Sequence, residues 1–290
     1  MTALVLPITA SGGAVRTVTD QLGRRVALPH PPRRLVSLAP SITEIIFAIG
    51  QEQRLKGVTR FSDYPAAAGM LPTVGSYTHP ELERIVALNP DLCIATKDGN
   101  PKRLIDRLVS LNIPVYAVDP RNLDSVMSTI LDIGTLLDAS ESAGALVESM
   151  RLRVERVERL VENARSRPRV FFQIGISPIV SIGSDSFIHE LIVLAGGENV
   201  AAGDTAYPRF SREQVLSLAP EVFIITSMAR DAVFEKVKAD WRRWPDMPAV
   251  RDQRLHLVDS NVFDRPSPRL VEALELLVRL IHPELFEEDR

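Results

Sequence analysis

The sequence predicts an α/β protein of two Rossmann-like lobes with mostly parallel sheets, bridged by one long α-helix. Three observations carry that prediction. Short apolar runs alternate with amphipathic stretches along the 290 residues. Near the midpoint an unbroken helical stripe runs through Ala143, Leu146, Val147, Met150, Val154, Val157, Leu160 and Val161. Finally, Glu83 to Thr96 aligns without gaps on Glu213 to Thr226, and Glu44 to Gly50 echoes Glu190 to Gly196. The expected division is a leader and hairpin over 1–32, an N-terminal lobe over 33–138, a bridging helix over 139–167 and a C-terminal lobe over 168–290.

In chain order, Val15 to Leu28 alternates around Asp20-Gln-Leu-Gly23 and predicts a hairpin, and Pro29 to Pro32 is a stiff connector. Leu35 to Ala39 is a strand, and Ser41 with Glu44 reads as a capping box opening a helix over Ile42–Ile49, closed by Gly50. Strands are expected at Leu55–Thr59, Leu92–Thr96 and Val115–Val118, and helices at Pro80–Leu88, Pro101–Leu111 and Leu123–Leu137. The central stripe predicts a helix of ~26 residues, which would reach ~39 Å at 1.5 Å per residue. Arg151, Arg153, Glu155, Arg156, Glu158, Arg159 and Glu162 form its solvated face, and Pro168 stops it. Strands follow at Val170–Ile174, Ile179–Ile182, Val222–Thr226 and Leu255–Val258. Helices are expected at Phe187–Ala195, Arg212–Leu218, Asp231–Trp241 and Pro268–Ile281.

Composition narrows the function. A net charge of −3 and a pI near 6.0 give no electrostatic reason to expect nucleic acid as a partner. No run of 18 apolar residues is present to span a membrane. The single cysteine, Cys93, lies in an apolar run and is expected to be buried and inert. Leu4 to Ala10 followed by Ser11-Gly-Gly-Ala14 resembles the tail of a secretory signal without its basic start; a plain disordered leader is the other reading. No catalytic motif stands out, and His30, His79, His189, His256 and His282 show no i,i+4 metal pair. Phe61, Tyr64, Tyr77, Tyr207 and Phe263 fall in connections near strand ends, which suggests a lined cleft where open α/β sheets gather ligands. Glu83 and Glu213 hold matching places in the internal repeat, at helix starts where the dipole favours acids.

The ordered set Arg34 to Glu44, Phe61-Ser-Asp-Tyr-Pro65, Val74-Gly-Ser-Tyr77, Leu82 to Asp91, Gly196-Gly-Glu-Asn199, Ser211 to Val215 and Arg265-Pro-Ser-Pro-Arg269 resembles the helical-backbone (class III) substrate-binding proteins of ABC importers. The branch that binds vitamin B12 is the most similar, and the resemblance runs from about Arg16 to Pro283. It implies a non-enzymatic, monomeric receptor in the periplasm or cell-envelope exterior. Such a receptor holds a corrinoid between its lobes, needs no cofactor, touches the membrane only through the importer, and delivers its ligand to the permease. Matched residue by residue, the ligand contacts fall on Phe61, Tyr77, Ile174, Tyr207, Asn261 and Arg265. The permease-docking glutamates fall on Glu83 and Glu213, and no lipobox cysteine is present to imply an anchor. The chain departs from the cobalamin pattern at Tyr77 and Tyr207, where tryptophans are usual, at Phe61 for tyrosine and at Asn261 for aspartate. Haem or a ferric siderophore is the alternative ligand. A tetrapyrrole chelatase using His79 or His256, or a metal-ion receptor, are the readings from other classes.

Overall fold

The computed structural model describes residues 15–226 and 233–289. The predicted leader and the first two residues of the helix expected from Asp231 lie outside the described residues. The chain forms two compact units, Met1–Asp119 with Ile133–Ser140, and Pro120–Asp132 with Glu141–Arg290.

The first unit opens with the antiparallel hairpin β1 (Val15–Thr19) and β2 (Arg25–Pro29). Asp20 makes its turn: Oδ1 accepts from the backbone N–H groups of Leu22 and Arg24, and Arg24 Nε donates to Oδ2 at 2.8 Å. Gly23, at φ +76°, takes the left-handed position that the turn requires. Next come β3 (Leu35–Ser37), α1 (Pro40–Ala48), β4 (Leu55–Gly57), α2 (Leu82–Ala87), β5 (Leu92–Thr96), α3 (Lys102–Ser110) and β6 (Val115–Val118); α4 (Leu123–Leu136) then begins in the second unit and ends in the first. The four strands form a parallel sheet ordered β4-β3-β5-β6. Its central strands are buried on both faces, as their unbroken apolar runs foretold. Val36, Leu38, Cys93, Ala95 and Val115 face Ile85, Ile105 and Leu108. Burial raises the Cys93 thiol to about 12, and Asp91 adds to the effect.

The second unit contains α5 (Ser140–Val161), β7 (Arg169–Gln173), β8 (Ile179–Val180), α6 (Phe187–Leu194), β9 (Glu198–Asn199), β10 (Arg209–Phe210), α7 (Arg212–Ser217), β11 (Val222–Ile225), α8 (Val233–Trp241), α9 (Pro248–Arg251), β12 (Leu255–Leu257), α10 (Ser260–Phe263) and α11 (Leu270–Ile281). Its parallel sheet is ordered β12-β11-β7-β9. Numbered from the first strand of each sheet, both orders are 2-1-3-4. One face packs as an aromatic stack, Phe171 to Phe223 at 5.1 Å and Phe223 to Trp241 at 4.9 Å between centroids. On the other face of the strand, Phe172 meets Phe263 at 5.6 Å.

The sequence repeat extends to its hydrogen bonds. Asp91 accepts from the backbone N–H groups of Arg33 and Arg34, and its counterpart Glu221 accepts from that of Arg169. Arg34 donates to the carbonyl of Leu88, and Arg169 donates to the carbonyl of Leu218, the aligned residue. Asn89 and Ala219, also aligned, end their helices at φ 45° and 44°.

Three expectations are corrected. Pro40 occupies the first turn of α1 behind an extended Ala39, because its fixed φ suits that position. Ser41 therefore lies inside the helix and caps nothing, and Glu44 is buried. The genuine capping box is at α7, where Ser211 and Gln214 bond each other's backbone N–H. The central helix has 22 residues, about 33 Å long, and ends before Pro168 through an unwound Glu162–Arg167. Arg153, expected on the solvated face, instead forms a half-buried bidentate pair with Glu275 of α11, at 2.8 and 2.7 Å.

Candidate ligand-binding site

At the carboxyl edge of the first sheet, two loops carry aromatic rings. Four buried hydroxyls hold the loop after β4: Thr43 Oγ1 lies 2.8 Å from Ser37 Oγ and 3.1 Å from Ser62 Oγ, and Thr59 Oγ1 lies 2.9 Å from Ser62 Oγ. This cluster fixes the turn from Thr59 to Ser62, which leaves Phe61 at its tip with 38% of its surface exposed. The Arg60 guanidinium lies over that ring, 4.8 Å from the centroid. The Arg60 N–H donates to the Gly75 carbonyl at 2.7 Å and ties this loop to the next one.

Tyr77 stands in that second loop, closed by reciprocal backbone bonds between Ser76 and His79. Gly75, at φ +94°, leaves no room for a side chain beside the His79 carbonyl. The Tyr77 ring packs against Gly99 so closely that a Cβ there would collide with it. Asn100, which sequence reasoning missed, locks the arrangement. Its Nδ2 donates to the carbonyls of Leu38 at 2.9 Å and Tyr77 at 2.7 Å, and its Oδ1 accepts from Thr96 N–H at 2.8 Å. One buried amide thus joins the ends of β3 and β5 to the tyrosine loop. The only available signal was the turn-like Asp98-Gly-Asn100, which does not distinguish a structural lock from an ordinary loop.

In the second unit, Ile174 follows β7 and donates its N–H to the Val180 carbonyl at 2.9 Å. Gln173, also missed, is buried; it accepts from Trp241 Nε1 at 2.9 Å and donates to the Gly175 carbonyl at 2.9 Å. Tyr207 is held by its neighbours, since the Ala206 and Pro208 carbonyls accept from Gly183 and Ser181, and its own side chain is 57% exposed. Asn261 lies in α10, whose N-cap Asp259 accepts the Asn261 N–H at 2.9 Å. Arg265 is buried and donates to Asn261 Oδ1 at 2.6 Å. That bond sets the amide's orientation, with the oxygen turned to Arg265 and the two Nδ2 hydrogens left as donors. Next to the pair, burial raises the Asp264 carboxyl to about 7, with Arg265 opposing and Asp259 adding to the rise.

Phe263 is a correction. It is fully buried against Phe172 and lines no cleft. Its short helix α10 gave no periodic signal, so its loop position looked like exposure. Tyr64 is 44% exposed. The histidines do not converge: among the described residues no three His, Cys, Asp or Glu side chains group to hold a metal ion. His256 is pushed down to about 4 by burial, with Arg254 and Lys238 contributing, and His282 is buried against Glu284 at 2.9 Å. Glu83 and Glu213 are both exposed in the first turns of α2 and α7. The backbone N–H of Glu213 and the Ser211 side chain hold the Glu213 carboxyl below its usual range.

Residues 35–262 match the family model described as periplasmic binding protein. The chain belongs to the periplasmic binding protein family. This periplasmic binding protein is 33% identical over 246 residues to the vitamin B12-binding protein of Yersinia pestis (strain Pestoides F), covering 84% of each chain. Among solved structures it is similar to the periplasmic vitamin B12-binding protein BtuF of Vibrio cholerae, with a TM-score of 0.75 and 29% identity over 87% of this chain and 97% of that one. A periplasmic haem-binding protein from Pseudomonas aeruginosa matches with a TM-score of 0.80 and 26% identity, over 87% and 93% of the two chains. The two-lobed α/β fold expected from the sequence is the fold of these relatives. No helix among the described residues is long and apolar enough to cross a membrane.

Proposed function

We propose that this periplasmic binding protein is the corrinoid receptor of an ABC importer, taking up cobalamin or cobinamide outside the inner membrane and handing it to the permease. The supporting observation is the set of aromatic residues at the carboxyl edges of the sheets, exposed Phe61 and half-buried Tyr77 in one unit and exposed Tyr207 in the other, in a chain one-third identical to a vitamin B12-binding protein. A flat, apolar macrocycle gains area and stacking from such rings, which lose little entropy because each has two side-chain torsions. Ile174 adds an apolar contact. Asn261, held by Arg265, offers N–H donors to carbonyl oxygens of the ligand's amide arms. No bond is made or broken in this reading, so the protein acts by binding and needs no cofactor.

Glu83 and Glu213 serve as the docking carboxylates for permease arginines. Each projects from the start of a helix and is topologically equivalent to the other, and neither is ion-paired to another described side chain. The structural similarity to a haem-binding protein supports haem as the second ligand reading. Calorimetric titration with cyanocobalamin and with dicyanocobinamide tests the function. One-to-one binding at micromolar or lower Kd is expected for a corrinoid receptor, and absence of heat with both eliminates that reading in favour of haem.

A further inference from the structure

We propose that Arg60 selects ligands by charge, meeting an oxyanion on the periphery of the macrocycle stacked at Phe61. Within the corrinoid class it favours intact cobalamin, whose nucleotide arm carries a phosphodiester, over cobinamide, which lacks that group. This proposal rests on the corrinoid reading above.

The argument begins with the position of the guanidinium. Its central carbon is 4.8 Å from the Phe61 centroid, so the cation is held against the platform ring instead of sweeping through solvent. Contact through a ring face uses none of the guanidinium's five N–H donors. Its backbone is fixed as well, by the bond from Arg60 N–H to the Gly75 carbonyl at 2.7 Å. No described carboxylate pairs with the Arg60 side chain, although other surface arginines find partners, as Arg84 does with Glu81 at 2.6 Å and Arg251 with Asp252 at 2.8 Å. A pre-positioned, unpaired guanidinium is suited to planar, two-point recognition of a phosphate or carboxylate.

The second unit offers the same polarity. Because Arg265 takes Asn261 Oδ1, what remains for a ligand there is the pair of Nδ2 hydrogens, which want acceptors. Arg60 and Asn261 thus each present N–H donors. A donor at either place calls for an acceptor oxygen on the ligand, and the Arg60 guanidinium calls for a charged one. A cobalamin phosphodiester and the carboxylates of haem share that chemistry.

The test compares wild type, Arg60→Gln and Arg60→Lys by titration calorimetry with cyanocobalamin and dicyanocobinamide, at low salt and at 0.5 M salt. An exposed charge pair predicts that Arg60→Gln weakens cobalamin binding about threefold to fivefold at low salt. Cobinamide binding should be unchanged, the cobalamin effect should shrink at high salt, and Arg60→Lys should recover part of the loss. Equal weakening of both ligands, or of neither, overturns the proposal, because a merely structural role cannot separate them. If wild type binds neither corrinoid, the functional reading has failed on its own, and haem and its dimethyl ester replace the pair. Selective loss for the free diacid then supports the oxyanion role with carboxylates as its source. Equal loss, no loss, or no binding of any of the four compounds overturns it.

Discussion

Replacing Asn100 with alanine tests whether a single amide holds the tyrosine loop on the first sheet. The substitution removes three hydrogen bonds of 2.7 to 2.9 Å and leaves the Leu38 and Tyr77 carbonyls and the Thr96 N–H without that partner. At about 1 kcal/mol for each bond, the expected loss is about 3 kcal/mol of stability. The Tyr77 loop then loses the amide that ties its carbonyl to the sheet, while the ring keeps its contact with Gly99. Re-ordering that side chain and loop on binding costs about 1 kcal/mol, or about fivefold in Kd for the macrocycle. Asn100→Asp is the informative companion. It keeps an acceptor for Thr96 N–H but sets a carboxylate against two carbonyl oxygens, so it should be at least as damaging as alanine at pH 7. Urea unfolding followed by far-ultraviolet circular dichroism measures stability, and calorimetry measures affinity. A stability change under about 1 kcal/mol for both variants would refute the reasoning, since the bonds would then be incidental to the fold.

Asp264 predicts a pH effect. Its carboxyl is raised from 3.8 to about 7, so the unfolded chain ionises first, and this residue's contribution falls as pH climbs from about 4 to about 7. At 1.36 kcal/mol per unit the upper bound is about 4 kcal/mol, and Asp264→Asn should flatten that part of the urea-stability profile between about pH 4 and about pH 7. A wild-type profile unchanged by the substitution would contradict the assignment. For docking, Glu83→Arg combined with Glu213→Arg should abolish stimulation of the importer's ATPase in reconstituted vesicles while leaving ligand Kd within about twofold, the range expected of distant surface changes. Loss of ligand binding in that double variant would move the glutamates out of the docking role.

Much of the fold was legible because parallel strands buried on both faces leave dense apolar runs, and β5 and β6 fall on the predicted residues. The internal echo was legible for a related reason. Pairs such as Asp91 and Glu221 do the same hydrogen-bonding work at the same place in each sheet, so their chemistry repeats along with the apolar pattern. Two-residue strands such as β9 and β10 are too short to show any period. The exposed site aromatics were read from their places in connections, but Phe263 shared that context and is core. Asn100 and Gln173 escaped notice because the bonds that lock other elements reach across sequence gaps of 62 and 68 residues, to Leu38 and Trp241, while their local bonds look like ordinary turn contacts. Arg153 looked like one charge among many until its partner on α11 was placed.

The hydroxyl cluster beneath the Phe61 loop separates two kinds of freedom. Thr43, Ser37, Thr59 and Ser62 satisfy one another in the interior, and position 60 is tethered by its backbone, which any residue except proline supplies. The buried members are interdependent, since turning one into an apolar residue leaves another with an unmet lone pair or hydrogen. The outward side chains at 60 and 61 lie outside that mutual obligation. If positions 60 and 61 meet the cargo as proposed, they can be exchanged while the anchor points of the loop stay put, so selectivity can drift from one ligand to another without the fold having to be re-solved.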